Sequence, residues 1–317
     1  MNKVKVTAII VVAVLVAALA GWLLLSRVAP RFGIYLFPPS PQRYAELALD
    51  KMENGIYASG EEWNRARSVA LAEVESCRSY EETHDVLRRA LAVAGGKHSA
   101  LLTPESLQSA AQEQLLPTVE VDGDGILMVT IPPYSPSSSM AQEYADKVLA
   151  ALKERQYAGI VVDLRDNVGG DMGPMLAALS PLLPDGQLMA FNISGRQRPV
   201  MLDGGHVAGG GTPMTVEDFK VEGVRMAVLQ NGQTGSSGEM TLLAFRGLGM
   251  ARTFGEPSAG YCSCNDLFRL YDGCVMQLTT GTVRARTGEE FCEDPIAPDV
   301  LSDNPVAAAK AWILSAD

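Results

Sequence analysis

Gly159-Ile160-Val161-Val162-Asp163-Leu164-Arg165-Asp166-Asn167-Val168-Gly169-Gly170-Asp171 decides the fold class of this chain. An apolar run without polar alternation reads as a strand buried on both faces, the kind found in a parallel sheet covered by helices. The run ends in a polar turn with paired glycines, and a helical pattern follows over 172–183. Glycines at such a turn let the backbone come close to a ligand, whereas the plain alternative is a strand-to-helix connection and nothing more. A phosphate loop is excluded, because its glycine spacing and Lys-Ser/Thr pair are absent.

The same rhythm extends in both directions. Strands are expected over 125–131 and 224–229, helices over 139–152 and 237–245, and further strand-like pieces over 274–280 and 281–285. This alternation is the βαβ pattern of an α/β core. Upstream, over 41–94, apolar residues recur at three and four, as in Tyr44, Leu47, Leu49 and Met52, which indicates two or three helices. The expected division is therefore a membrane anchor and flank over 1–31, a linker and helical region over 32–100, and an α/β core over 101–317.

Residues 6–26 carry no charge and are bracketed by Lys3, Lys5 and Arg27. As a helix they would extend about 31 Å, which matches the hydrocarbon thickness of a bilayer. A cleaved signal peptide is the rival, because Ala18-Leu19-Ala20 has the small-x-small form of a cleavage site. The apolar run continues through Trp22-Leu23-Leu24-Leu25 and favours an uncleaved single-pass anchor with the rest of the chain outside. A formal net charge of −11 argues against nucleic acid as a partner, and suits a cationic one or simply keeps the surface soluble.

Three features could carry chemistry. Asn231-Gly-Gln-Thr-Gly-Ser236-Ser237-Gly-Glu239-Met240 sits between an expected strand and helix, where backbone N–H groups could stabilise the oxyanion formed by an attacking serine. Ser236-x-x-Glu239 is equally a capping box, in which the serine merely starts the helix. A nucleophilic serine needs a base, and no lysine occurs between Lys220 and Lys310, so histidine is the expected partner. Of the three histidines, His84 lies in a helical pattern among polar neighbours and His206 in a glycine-rich stretch that reads as a loop. His98 follows the Gly95-Gly96 break, a position from which a side chain can be presented to a cleft, or can equally be a surface turn.

Taken in order, Gly-Gly-Lys-His98-Ser, Val-Asp163-Leu-Arg-Asp-Asn-Val-Gly169-Gly170, Thr-Gly-Ser236-Ser-Gly-Glu-Met, Gly255-Glu256-Pro257-Ser-Ala-Gly260 and Pro298-Asp299 resemble the tail-specific, or C-terminal-processing, serine peptidases. The resemblance implies an α/β peptidase core of the ClpP/crotonase type with the helical region packed on it. The stretch 102–119 is too short to hold a PDZ insertion. Tyr261 stands where the best-known branch has its catalytic lysine, so the implied pair is Ser236 as nucleophile and His98 as base. By the same resemblance, Glu293 is a candidate to orient His98, and the oxyanion hole falls to Ser237 and to the Gly169-Gly170 turn.

Phe32-Gly-Ile-Tyr, Asn54-Gly-Ile-Tyr-Ala and the serine block are similar to the short, membrane-anchored nisin-resistance group, although Gly235 and Gly238 stand where that group usually has alanine. The implied partner is a peptide, a cationic lantibiotic, and no cofactor or metal is expected. A general surface peptidase that trims protein tails or signalling peptides is the alternative, and a catalytically silent binding module is the alternative of another class. Cys262, Cys264, Cys274 and Cys292 fall close together, and outside the membrane they could pair as Cys264–Cys274 and Cys262–Cys292 or, with less suitable spacing, bind zinc.

Overall fold

The computed structural model describes residues 12–17, 21–22, 29, 33–35, 37–109 and 114–315. Most of the expected anchor over 6–26 lies outside the described residues. Among the described residues no helix is long and apolar enough to cross a membrane. The chain divides into two compact units: Met1–Gln108 together with Asp266–Leu278, and Ser109–Asn265 together with Thr279–Asp317. The sequence pattern placed one break near residue 100, whereas the chain re-enters the first unit for Asp266–Leu278.

The first unit is built on three helices: α1 (Pro41–Met52), α2 (Gly60–Val74) and α3 (Glu81–Gly95). Ser40 accepts a hydrogen bond from the Arg43 N–H and Pro41 fills the first turn, so α1 starts where an orphan donor is satisfied and a missing N–H costs nothing. Their apolar faces meet around Tyr44, Leu49, Met52, Leu87 and Leu91, and Met276 and Leu278 join the same core. Strand β1 (Ala100–Leu102) pairs antiparallel with Gln277–Val275 at the start of β12 (Val275–Ala285).

The second unit holds the α/β core. Strands β2 (Thr118–Val121), β3 (Ile126–Thr130), β4 (Gly159–Asp163), β9 (Met226–Gln230), β10 (Ala251–Gly255) and β14 (Val300–Leu301) form one sheet. Its order is β14-β10-β9-β4-β3-β2. All neighbours are parallel except β2, which runs antiparallel to β3 at the edge. Every residue of β4 and β9 is buried, as their unbroken apolar runs require of strands covered on both sides.

One face of that sheet, with Ile160, Val162 and Val228, joins a core shared with α4 (Ala141–Glu154), α5 (Met172–Leu179) and α6 (Ser237–Leu243). The other face, with Val161, Ala227 and Leu229, packs on α7 (Pro305–Leu314) through Ala309 and Ile313. A second, antiparallel sheet runs from the Gly281–Ala285 part of β12 through β5 (Gly186–Ile193), β6 (Arg196–Asp203), β7 (His206–Ala208) and β8 (Met214–Thr215), and β11 (Ser263–Arg269) also pairs with β12. The stretch around His206 is therefore not a loop. Its Nδ1 lies 2.8 Å from the Thr215 hydroxyl across the β7–β8 ladder.

Candidate active site

In open parallel sheets, ligands gather beyond the carboxyl ends of the strands, and the turns after β4 and β9 carry the two most distinctive motifs of this chain. They are tied together by their own polar groups. The Asp166 N–H donates to Asn231 Oδ1 at 3.1 Å, and Asn231 Nδ2 returns a bond to Asp166 Oδ1 at 2.9 Å. The Thr234 hydroxyl donates to the Leu164 carbonyl at 2.8 Å, and the Gly235 N–H donates to the Asn167 carbonyl at 2.9 Å. Asn167 is fully buried: its amide donates to the Ile131 carbonyl at 2.8 Å, and its Oδ1 accepts the Gly169 N–H at 2.9 Å.

Ser236 immediately precedes α6 and has φ +53 and ψ −120. A non-glycine residue in that region is strained by roughly 1–3 kcal/mol and persists only where its surroundings over-determine it. Here the determinant is Glu239. Its buried carboxylate accepts the Ser236 N–H and the Tyr261 N–H on Oε2, each at 2.8 Å. On Oε1 it accepts the Gly260 N–H at 2.9 Å and the Ser258 hydroxyl. Burial pushes this carboxyl above its ordinary range, against the four hydrogen bonds that pull it down.

The double-glycine turn closes on the serine. Gly169 and Gly170 have φ +108 and +110, values that L side chains rarely adopt. A Cβ on Gly169 would stand 2.9 Å from both Ser236 Cβ and Ser237 N, and one on Gly170 would stand 2.0 Å from the Tyr134 carbonyl oxygen. The Ser237 hydroxyl donates to the Gly170 carbonyl at 2.7 Å. Of the two glycines, Gly169 has its N–H already committed to Asn167. Among the described residues, the N–H groups of Ser237 and Gly170 have no protein acceptor.

His98 belongs to the first unit, and Ser236 to the second. It lies in the turn between the end of α3 and β1, and its carbonyl accepts Gln277 Nε2 at 2.8 Å. Burial, with the Lys97 charge adding in the same direction, pushes its imidazole down to about 4. The ring is thus neutral near pH 7, the form in which it can accept a proton.

The unfolded chain takes up a proton near the ordinary value of about 6.5 while the folded one does not, so the contribution to stability is complete above 6.5 and is lost as pH falls toward 4. An NMR titration of the His98 ring should show a midpoint near 4. A midpoint at the ordinary value would overturn the burial argument.

Glu293 is half-buried, two residues beyond β13 (Glu290–Phe291). The local sequence pattern marks Glu239 only as a helix cap and assigns no role to Asn167. A polar side chain directly after a buried strand, beside two glycines, was the available signal for the latter. His84, which the pattern sets in a helix among polar neighbours, is buried with Nε2 2.7 Å from Asp272 Oδ2. Cys274, expected as a partner of Cys264, has its Sγ 3.7 Å from His84 Nε2.

Paired glycines after a central strand, facing a strained serine at the head of a helix, are an arrangement suited to acyl transfer. The model of peptidase family S41 matches residues 125–302, and the chain belongs to that family of serine peptidases. It is 38% identical to the nisin-resistance protein of Lactococcus lactis subsp. lactis over 289 residues, covering 90% of this chain and 91% of that protein. Among solved structures, a lipoprotein from Streptococcus agalactiae superposes with a TM-score of 0.76 at 31% identity, covering 88% of this chain and 98% of the other. The photosystem II D1 C-terminal processing protease shares the fold, with a TM-score of 0.57 at 15% identity over 88% of this chain and 98% of its own.

Proposed function

We propose that this chain is a membrane-anchored extracellular serine peptidase that cleaves a cationic lantibiotic such as nisin and so confers resistance to it. The observation that carries the reading is the strained Ser236 beside the Gly169-Gly170 turn, in a chain 38% identical to a nisin-resistance protein. The uncharged stretch over 6–26 supports the anchor, and similarity to a protein described as a lipoprotein supports a place at the outer face of a membrane.

In this mechanism Ser236 Oγ attacks the peptide carbonyl carbon while neutral His98 takes its proton. The Ser237 and Gly170 N–H groups receive the oxyanion, as the two donors that no protein acceptor claims. His98 then hands its proton to the leaving amine, and water attacks the acyl-enzyme to return Ser236 to its starting state. Glu293 serves to orient His98.

The full-length protein in detergent, incubated with nisin and other lantibiotics and followed by mass spectrometry, should split a substrate into two fragments whose masses sum to the parent plus one water. Cleavage of linear peptide tails with every lantibiotic left intact would favour a general tail-trimming peptidase. Retention of lantibiotic with no cleavage of any peptide would leave a binding module.

A further inference from the structure

The first unit contains a cluster that the peptidase reading does not use. His84 Nε2, Asp272 Oδ2 and Cys274 Sγ lie within 4.8 Å of one another. His84 comes from the first turn of α3, whereas Asp272 and Cys274 flank the turn that leads into β12, 188 positions away along the chain from histidine to aspartate. The Leu270 N–H donates to the Cys274 carbonyl at 2.9 Å, which closes that turn and holds the two side chains at i and i+2.

We infer that His84, Asp272 and Cys274 form a zinc-binding site. A single ring nitrogen decides between the two chemistries open to these residues. In a nucleophilic cysteine relay, the thiol and the carboxylate would engage opposite nitrogens of the imidazole. Here Asp272 Oδ2 at 2.7 Å and Cys274 Sγ at 3.7 Å both converge on Nε2, as ligands around one point do.

The distances suit the ion. Tetrahedral zinc with Zn–N of about 2.0 Å and Zn–S of about 2.3 Å separates N from S by about 3.6 Å. The N–O pair needs to open by roughly half an ångström from its present hydrogen bond to reach the corresponding spacing. Imidazole with thiolate selects a borderline-soft ion over calcium or magnesium.

The surroundings supply the support that metal ligands require. The Tyr44 hydroxyl donates to Asp272 Oδ2 at 3.1 Å, and the Cys274 N–H donates to Asp272 Oδ1 at 3.1 Å, so the carboxylate is fixed from two sides. The rings of Tyr44 and Tyr80 meet at a tilt with centres 4.9 Å apart, and those of Tyr80 and Tyr271 meet edge-on at 5.6 Å, giving the cluster an aromatic wall. On binding, the Cys274 S–H proton leaves to solvent, the His84 proton moves to Nδ1, and water completes the tetrahedron. Zinc would then clamp the start of α3, whose far end leads to His98, to the β12 turn. The inference does not depend on the proposed substrate or on the Ser236–His98 pairing.

The test uses the full-length protein in detergent, stripped by a chelator and titrated with Zn²⁺ against a chromophoric competitor. One ion per chain is expected, with a rise in unfolding temperature. Co²⁺ in its place should give a sulfur-to-cobalt charge-transfer band. Cys274→Ser should remove the band and weaken Zn²⁺ binding at least about 100-fold, and Asp272→Asn should weaken it comparably while keeping the shape of the turn. Hydrogen exchange on the wild-type protein gives a readout that needs no variant: Zn²⁺ should slow exchange over 81–88 and 270–276. Failure to bind one ion, wild-type affinity in Cys274→Ser, or protection elsewhere in the chain would each overturn the assignment.

Discussion

Replacing Ser236 with alanine lowers peptide turnover by on the order of 10⁴-fold or more while leaving the unfolding temperature nearly unchanged. The first half follows from chemistry, since without Oγ no acyl-enzyme forms and only binding and oxyanion stabilisation remain. The second follows from where the local structure is held. The strained turn is fixed through the backbone N–H of residue 236, which donates to Glu239, and alanine keeps both that N–H and the Cβ. Turnover within tenfold of wild type, measured on any peptide that the wild-type protein cleaves, would move the nucleophile elsewhere.

Glu239→Ala has the opposite profile and costs stability first. Its carboxylate is the acceptor for three backbone N–H groups and one hydroxyl, from buried Ser258 and Gly260 and from half-buried Ser236 and Tyr261. Unpaired buried donors cost about 1–3 kcal/mol each, so a loss on the order of 3–5 kcal/mol is expected after relaxation. Glu239→Gln should do little better. Oε2 meets two backbone N–H groups and Oε1 meets one, so an amide NH₂ placed at either end faces a donor. Chemical denaturation of the three proteins measures this, and a glutamine variant as stable as wild type would show that the carboxylate is not the organiser of the turn.

Much of the peptidase core was legible because its signals are local. The buried runs of β4 and β9 carry their own pattern, and the paired glycines after β4 announce a backbone that L side chains would strain. Apart from the stretch around His206, which is strand rather than loop, the structure shortens and joins pieces without changing their type: the two strand-like pieces over 274–285 are the single strand β12, and the helix expected over 172–183 ends as α5 at Leu179 with a short 3-10 turn after it.

What stayed hidden is long-range. Glu239 matched a capping box three residues from Ser236, and nothing nearby announced that Ser258, Gly260 and Tyr261 would bring it three more donors. His84 sits among Glu81, Glu82, Thr83 and Asp85, which read as a solvated helix start. Its partner is 188 positions away, and no pattern within a helix can report that. The excursion of Asp266–Leu278 into the first unit escaped notice for the same reason: a strand that serves two units looks like one strand.

That excursion bears on how the chain comes into being. Synthesis runs from the amino end, so α1, α2 and α3 emerge early, yet Met276 and Leu278 of their core arrive only when most of the polypeptide has been made. Until then the newborn helices expose apolar surface, the condition in which partly made proteins associate wrongly or need a chaperone. A ribosome stalled before residue 266 should therefore hold an amino-terminal portion that is helical but readily digested, and release past 278 should make it resistant.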